Sequence, residues 1–351
     1  MENNSIKVKE AIKTALAMTI AYAIALYMDW ERPYWAGFAV AFVSMATVEK
    51  SLGKAAMRML GTLLAAIAAL TLIALFPQQR WLFMVALSVY VGVCAYMMTG
   101  SRVPYFYQVS AFVCVIICFD GGVNSLNSFQ TTVARIQETA MGIMVYMLIS
   151  IFLWPQRGGN PPGNKTVKSD QKAPESFSHA CRRIISLDNK RVSSALEVVF
   201  NLWLAFLVWV YINPPGHAGF VIMVATISLA LARFSTAKVS SMLVPALVSC
   251  IFSGVLYVLV MPRVSGYAQL GGMVFVATFV IAYFFSRPQQ AILRAFGLAF
   301  FATLTSISNQ QSYSFAGFAN SSLMIILALF TLLITQNLWP RPRLTKEVFW
   351  L

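Results

Sequence analysis

Uncharged apolar runs recur along nearly the whole chain, and no other feature restricts its fold as strongly. Leu60–Pro77, for example, contains no ionisable side chain. As a helix at ~1.5 Å per residue it would extend ~27 Å, close to the ~30 Å hydrocarbon core of a bilayer. In that medium every backbone amide needs a partner within the protein, so only helices and closed barrels are viable. The runs do not alternate apolar with polar residues, which excludes a transmembrane barrel. Composition agrees: 59% of the 351 residues are hydrophobic and 11% charged, against roughly 45–50% and 25% in soluble domains. The chain reads as an all-α polytopic membrane protein.

Twelve spans are expected, at roughly 11–28, 33–48, 57–76, 81–98, 103–120 and 132–154, then 195–212, 217–232, 240–261, 267–285, 288–307 and 321–339. The two sets of six read as copies of one unit. Pro77 recurs as Pro262, Ser101-Arg102 as Ser286-Arg287, Asn124 as Asn309, and Trp154-Pro155 as Trp339-Pro340, all at a spacing of 185. An even number of spans per copy makes this a parallel repeat, with both copies crossing the bilayer in the same sense. The expected units are a first six-helix repeat (1–155), a basic linker (156–193) and a second six-helix repeat (194–351).

The second span is the unusual one. It opens on Arg32-Pro33-Tyr34-Trp35-Ala36-Gly37-Phe38 and stays uncharged to Val48. A helix from Pro33 to Val48 would be ~24 Å long, short of the hydrocarbon core. A weaker copy, Pro215-Gly216-His217-Ala218-Gly219-Phe220, opens the eighth span 182 residues later. Short or interrupted spans at matching positions of two repeats point to a transporter's binding site.

Lysine and arginine fix the orientation. With the N-terminus inside, all 26 lie on cytoplasmic segments or helix ends except Arg32, Arg80, Arg135 and Arg263. Both termini are therefore expected in the cytoplasm. Lys7, Lys9 and Lys13 precede the first apolar run as in a signal peptide, but no small-residue cleavage site follows, so the segment is expected to remain as a span. The linker opens Gly-Gly-Asn-Pro-Pro-Gly and turns into a basic amphipathic segment from about Ser176 to Lys190, suited to lie against anionic lipid headgroups. The net charge of +14 does not indicate nucleic-acid binding, because the basic residues sit between spans and not on a soluble domain.

Five cysteines argue against a disulfide framework. No metal or other cofactor is expected. No phosphate-binding G-x-x-x-x-G-K-[ST] loop and no H-E-x-x-H motif occurs, so the chain is not expected to be an enzyme.

Several motifs now stand in order: Pro33-x-Trp35-Ala36, Arg58-Met59-Leu60-Gly61-Thr62, and Arg135-x-x-Glu138-x-x-x-Gly142 followed by Trp154-Pro155. Together they resemble the fusaric-acid-resistance (FUSC) family, which includes aromatic carboxylic acid exporters. The resemblance covers 10–157 closely and 195–340 more loosely. It implies a multi-pass protein of the bacterial inner membrane that exports small organic anions, often aromatic, commonly with a periplasmic adaptor protein. Many members carry a sizeable cytoplasmic domain between the membrane halves, where this chain has only 156–193. Plant malate channels of the same superfamily look like dimers of a six-span half, which brings in a passive anion channel and a homo-oligomer as further expectations.

Six residues stand out as candidates for a substrate or proton pathway. Arg135 and Glu138 lie three apart on one face of the sixth span, where ionisable residues are costly and functional by default. The pair reads as a proton carrier beside an anion holder, or as a structural ion pair with Arg135 snorkelling to the headgroups. Asn320 and Leu323 replace them in the second repeat. Arg294, in the eleventh span, attracts a carboxylate or snorkels back beside Arg287. Trp35 and His217 share one repeat position at helix N-termini, which favour anions; the alternative for both is an interfacial belt. Arg58, beside Lys54, is expected to face the cytoplasm at the foot of the third span and collect anions. Asp29, Glu31 and Arg32 read as a solvated outer turn.

The leading expectation is a secondary, proton-driven exporter of small organic anions such as aromatic carboxylates, bound between the second and eighth spans. A passive channel and a non-transporting membrane scaffold are the alternatives.

Overall fold

All twelve expected segments are helical in a computed structural model, which describes residues 2–44, 48–101, 103–120, 125–154, 189–233, 238–287 and 290–338. In chain order these are α1 (Glu2–Tyr27), α2 (Tyr34–Val43), α3 (Val48–Leu75), α4 (Arg80–Gly100), α5 (Pro104–Asp120), α6 (Ser125–Phe152), α7 (Asn189–Ile212), α8 (Ala218–Arg233), α9 (Ser240–Val255), α10 (Tyr267–Phe284), α11 (Ala291–Thr305) and α12 (Phe315–Leu338). Helix α9 runs on through a widened turn, Leu256–Val260, and a tight one, Met261–Arg263. No strand occurs among the described residues.

Length sorts the helices into two layers. Eight are long and apolar enough to cross a membrane, whereas α2, α5, α8 and α11 have only 10–17 residues. The short ones are sealed by protein. Helix α5 is buried continuously from Gln108 to Phe119, and α11 from Ala295 to Ala302. A helix apolar all round belongs inside, away from water. The long helices instead carry stripes of exposed aliphatic side chains. Leu82, Val85, Val89 and Val93 line one face of α4, and Val244, Leu247, Val248 and Ile251 one face of α9. These stripes are the surface the bilayer's acyl chains would cover.

The helix contacts repeat when each helix is exchanged with the one six places along the chain. Helix α1 packs on α10, and α7 on α4; α2 packs on α11, and α8 on α5. Within each set of six, α3–α5 matches α9–α11, and α2–α6 matches α8–α12. The main cross-half neighbours of α2 and α8 among the short helices are thus α11 and α5, in two symmetric contacts.

Two expected boundaries move. Helix α2 ends at Val43, not Val48, because Ser44 closes its last turn: its amide donates to Val40 O and its Oγ to Ala41 O, both at 2.9 Å. Ten residues make a helix of ~15 Å, about half the hydrocarbon core. Helix α3 then begins at Val48, nine residues before the expected span, since hydropathy marks only its apolar part. The expected linker 156–193 lies outside the described residues, apart from 189–193, which open α7.

Small residues let α2 reach its central place. A Cβ on Gly142 of α6 would run into the backbone of Ala36 and lie 2.8 Å from the Ala39 Cβ. No side chain fits there, which holds α2 and α6 in close approach. Gly142→Ala should therefore destabilise the protein by about 1–3 kcal/mol through overpacking. Gly53→Ala, where a Cβ would meet nothing within 4 Å, should instead stabilise the α3 helix by roughly 0.5–1 kcal/mol. Thermal unfolding of the two variants in detergent, beside wild type, checks the opposite signs.

Candidate functional site

Helix α2 presents two unlike faces. Ala36, Gly37, Ala39, Val40, Ala41 and Val43 are buried against its neighbours. Tyr34, Trp35, Phe38 and Phe42 stay partly accessible, and their spacing of three or four places them on one side. Their rings form a ladder, with centroids 4.8 Å apart for Trp35–Phe38 and 6.4 Å for Phe38–Phe42.

Helix α6 brings two charges to the Trp35 end of this ladder. The Arg135 guanidinium carbon lies over the Trp35 ring, 2.8 Å from its centroid, a cation–π contact. Glu138 sits one turn along α6, and Gly142 one turn beyond that, where α6 touches α2. Arg135 and Glu138 are 4% and 1% exposed. Arg135 and Glu138 act on each other electrostatically but make no ion pair within 4 Å. No close hydrogen bond satisfies either Glu138 oxygen, though the Arg32 backbone amide lies near enough to act on the carboxyl, and Arg135 Nε and Nη2 and the indole Nε1 of Trp35 have no partner. Arg135 rests its face on the Trp35 ring, and Asp120, Tyr34, Glu138 and Arg32 supply the nearby charge and dipole. Two unpaired N–H donor groups and an unpaired carboxyl thus converge within the protein.

The rim around this cluster is ordered by long-range contacts. Arg32 forms an ion pair with Asp120 at the end of α5, and Asp29 accepts a 2.5 Å hydrogen bond from Asn309 Nδ2 in the α11–α12 connection. Asp29 and Glu31 are exposed in a turn, as expected, and Arg32 and Asp29 also tie that turn to distant elements.

The other candidates fall elsewhere. Arg58 is 4% exposed and so buried inside the helix bundle, not at an open rim. Because α3 starts early, Arg58 lies three turns inside it and donates from Nη1 to the Tyr105 hydroxyl at 3.0 Å. The Lys54 side chain is outside the described residues. Arg294, in the first turn of α11, donates from Nη2 to Ser44 O at 2.9 Å. It does not return to Arg287; it caps the negative end of α2, where a cation is favoured, and so bolts α11 to α2. His217 is exposed in a turn where Asn213, Gly216 and His217 all take left-handed φ, 51°, 86° and 49°. Its Nδ1 is 2.7 Å from Asn213 Oδ1, and it touches none of the other five. Arg135, Glu138 and Trp35 come together; Arg58 lies at the far end of the same ladder; Arg294 and His217 belong to neither.

Sequence reasoning missed Phe38 and Phe42, although their spacing from Trp35 was a usable signal. It also missed the Arg32–Asp120 pair, which joins residues 88 apart and leaves no local pattern.

The geometry agrees with what the chain is similar to. The model of the fusaric acid resistance protein family matches residues 8–172 and 192–345. The uncharacterized transporter YdhK of Escherichia coli K12 is 32% identical over 139 residues, 38% of this chain and 21% of that protein. YdhK of Salmonella typhimurium is 30% identical over 138 residues, 38% of this chain and 20% of that protein. The p-hydroxybenzoic acid efflux pump subunit AaeB of Citrobacter koseri is 24% identical over 160 residues, 42% of this chain and 24% of that protein. The chain thus spans about a fifth to a quarter of the length of these relatives. No solved structure matches it. Twelve apolar helices among the described residues, eight of them long enough to cross a bilayer, and a family model that matches most of the sequence lead to one statement: this chain is a multi-pass membrane protein of the fusaric acid resistance family, and its relatives include transporters.

Proposed function

We propose that this protein is a proton-driven secondary exporter of small organic anions, aromatic carboxylates among them, in the bacterial inner membrane. The observation that carries the proposal is the convergence of Arg135, Trp35 and Glu138, all lacking hydrogen-bond partners at named atoms, against a short inner helix. Buried donors without partners are costly, and an anion's carboxylate would satisfy them. Arg135 and the Trp35 indole N–H would hold that carboxylate, the Trp35 and Phe38 rings would take its apolar body, and Glu138 would carry the proton. The similarity to AaeB, a p-hydroxybenzoic acid efflux pump subunit, supports the substrate class.

In this reading the twelve helices are twelve spans in two parallel repeats, 1–155 and 194–351, joined by a basic linker, 156–193, with both termini cytoplasmic. A periplasmic adaptor protein and a homo-oligomer are parts of the same proposal.

The missing ion pair matters for coupling. The loaded site, with Arg135 cationic and both Glu138 and substrate anionic, has a net charge of −1. The empty site, with Glu138 protonated from the outer compartment, has +1. A membrane potential negative inside drives the first outward and the second inward, each by about 2.3 kcal/mol per 100 mV. A locked Arg135–Glu138 pair would be neutral and would return without a proton.

Uptake of radiolabelled 4-hydroxybenzoate into inverted membrane vesicles tests this. Wild type should accumulate the anion at least tenfold better with an acidic interior than without a proton gradient. Glu138→Gln should lose that dependence and keep downhill flux, and Arg135→Ala should lose both. Wild-type flux of equal rate with and without the gradient would favour a passive channel and overturn the coupled reading. In the empty site Glu138 is already protonated, so an amide there removes no charge and keeps the side chain's shape. Glu138→Gln should accordingly unfold at a temperature equal to or above that of wild type, as measured by thermal scanning in detergent.

A further inference from the structure

The aromatic ladder of α2 does not stop at the Trp35 cluster. It runs on through Phe38 to Phe42, and there three of the four short helices each contribute a ring. Phe42 of α2 lies 6.5 Å from Phe112 of α5 and 6.3 Å from Phe296 of α11, centroid to centroid. Phe300 of α11 continues the patch, 5.8 Å from Phe296. The rings come from both sets of six helices, so the patch sits where the two sets meet.

A second buried arginine faces this patch. The Arg58 guanidinium carbon is 5.5 Å from the Phe42 centroid and 5.6 Å from that of Phe112, straddling both. Its Nη1 donates to Tyr105 OH at 3.0 Å, and its Nε has no hydrogen-bond partner. On the other side of Tyr105, Arg233 of α8 lies 5.1 Å over the ring and donates from Nη1 to Gln108 Oε1 at 2.6 Å. Two cations, from α3 and α8, therefore flank one tyrosine beside a four-phenylalanine patch. A cation held among rings with an N–H left over is matched to a ligand that is anionic at one end and aromatic at the other.

We propose that Arg58, Phe42, Phe112 and Tyr105 form a second station for the transported anion, and that this station selects aromatic over alicyclic carboxylates. The station rests on the exporter reading above and adds a place and a specificity to it. The ring of an aromatic acid joins the edge and face contacts of Phe42 and Phe112, while its carboxylate takes the Arg58 Nε–H. A cyclohexane ring of similar size offers no quadrupole to those contacts. The ladder Phe42–Phe38–Trp35 then leads to Arg135, so the anion passes between two arginines along a continuous run of rings. Only one such ladder exists per chain among the described residues: at the matching positions of the second repeat stand Leu243 for Arg58, Val224 for Phe42 and Gly297 for Phe112.

The test is equilibrium binding to the full chain in nanodiscs, with radiolabelled 4-hydroxybenzoate as probe and unlabelled 4-hydroxybenzoate or cyclohexanecarboxylate as competitor. Wild type should prefer the aromatic competitor by about tenfold, the scale of one or two aromatic contacts. Phe42→Leu and Phe112→Leu, which nearly conserve volume, should bring that ratio down toward one. Arg58→Lys keeps the charge without the planar fork and should weaken the aromatic competitor by a larger factor than the alicyclic one. A ratio that stays at the wild-type value in all three variants, while Arg135→Ala abolishes binding, would overturn the station and leave the exporter reading intact. Absence of probe binding to wild type would overturn both. A purely structural role for Arg58 would lower the amount of binding-competent protein and leave the ratio unchanged.

Discussion

A helix of ten to seventeen residues is shorter than ~30 Å of hydrocarbon, so its ends, which carry amides and carbonyls with no partner inside the helix, fall at membrane depth. In lipid those groups would be left bare. The only remedy is to surround the short helix with longer ones, and that necessity organises this protein. Helices α2, α5, α8 and α11 lie inside, and the eight long helices give the bilayer its apolar face. The cap that Arg294 places on the end of α2 is part of the same accounting, because it gives the carbonyl that closes the short helix a charged donor.

Interior placement sets what the short helices can hold. A cation beside lipid must snorkel toward the headgroups, whereas one surrounded by helices can rest on aromatic faces. Arg135 rests on Trp35, and Arg58 on Phe42 and Phe112. A ring face stabilises the charge without using up its N–H groups, so the guanidinium is retained as a donor. An ion pair would have stabilised Arg135 more directly and removed that capacity. Close helix approach at Gly142 is what keeps the α6 charges against the α2 rings.

The fold was legible to the extent that it depends on hydropathy. All twelve helices lie where uncharged runs and matched Pro, Asn and Trp-Pro positions put them. Boundaries were read less well where the helix and its apolar part differ in extent. Helix α3 begins within Val48-Glu49-Lys50, residues that look like a loop by charge, and this alone moved Arg58 from the cytoplasmic rim to the interior. At the site, Arg135 and Glu138 were legible because charges are rare in spans, and Trp35 because it opens a short one. What they do to each other was not legible: spacing of three on one helix face suggests a pair, and only the ring of Trp35 on α2 shows why none forms. Arg32 with Asp120, and Phe42 with Phe296, join distant parts of the chain, and no local pattern in the sequence announces them.

One feature of the ladder bears on how such a protein can change over time. Its rings and arginines belong to one set of six helices, while the other set supplies α11 as a wall and has Leu243, Val224 and Gly297 at the equivalent places. In an assembly of two identical six-helix chains, each substitution would appear twice, facing itself across the axis, and a buried arginine would confront its own copy. Joining the two sets in one polypeptide removes that constraint. One side can diversify its lining toward new ligands while the other conserves the shape that receives it, which a symmetric pair of identical chains could not do.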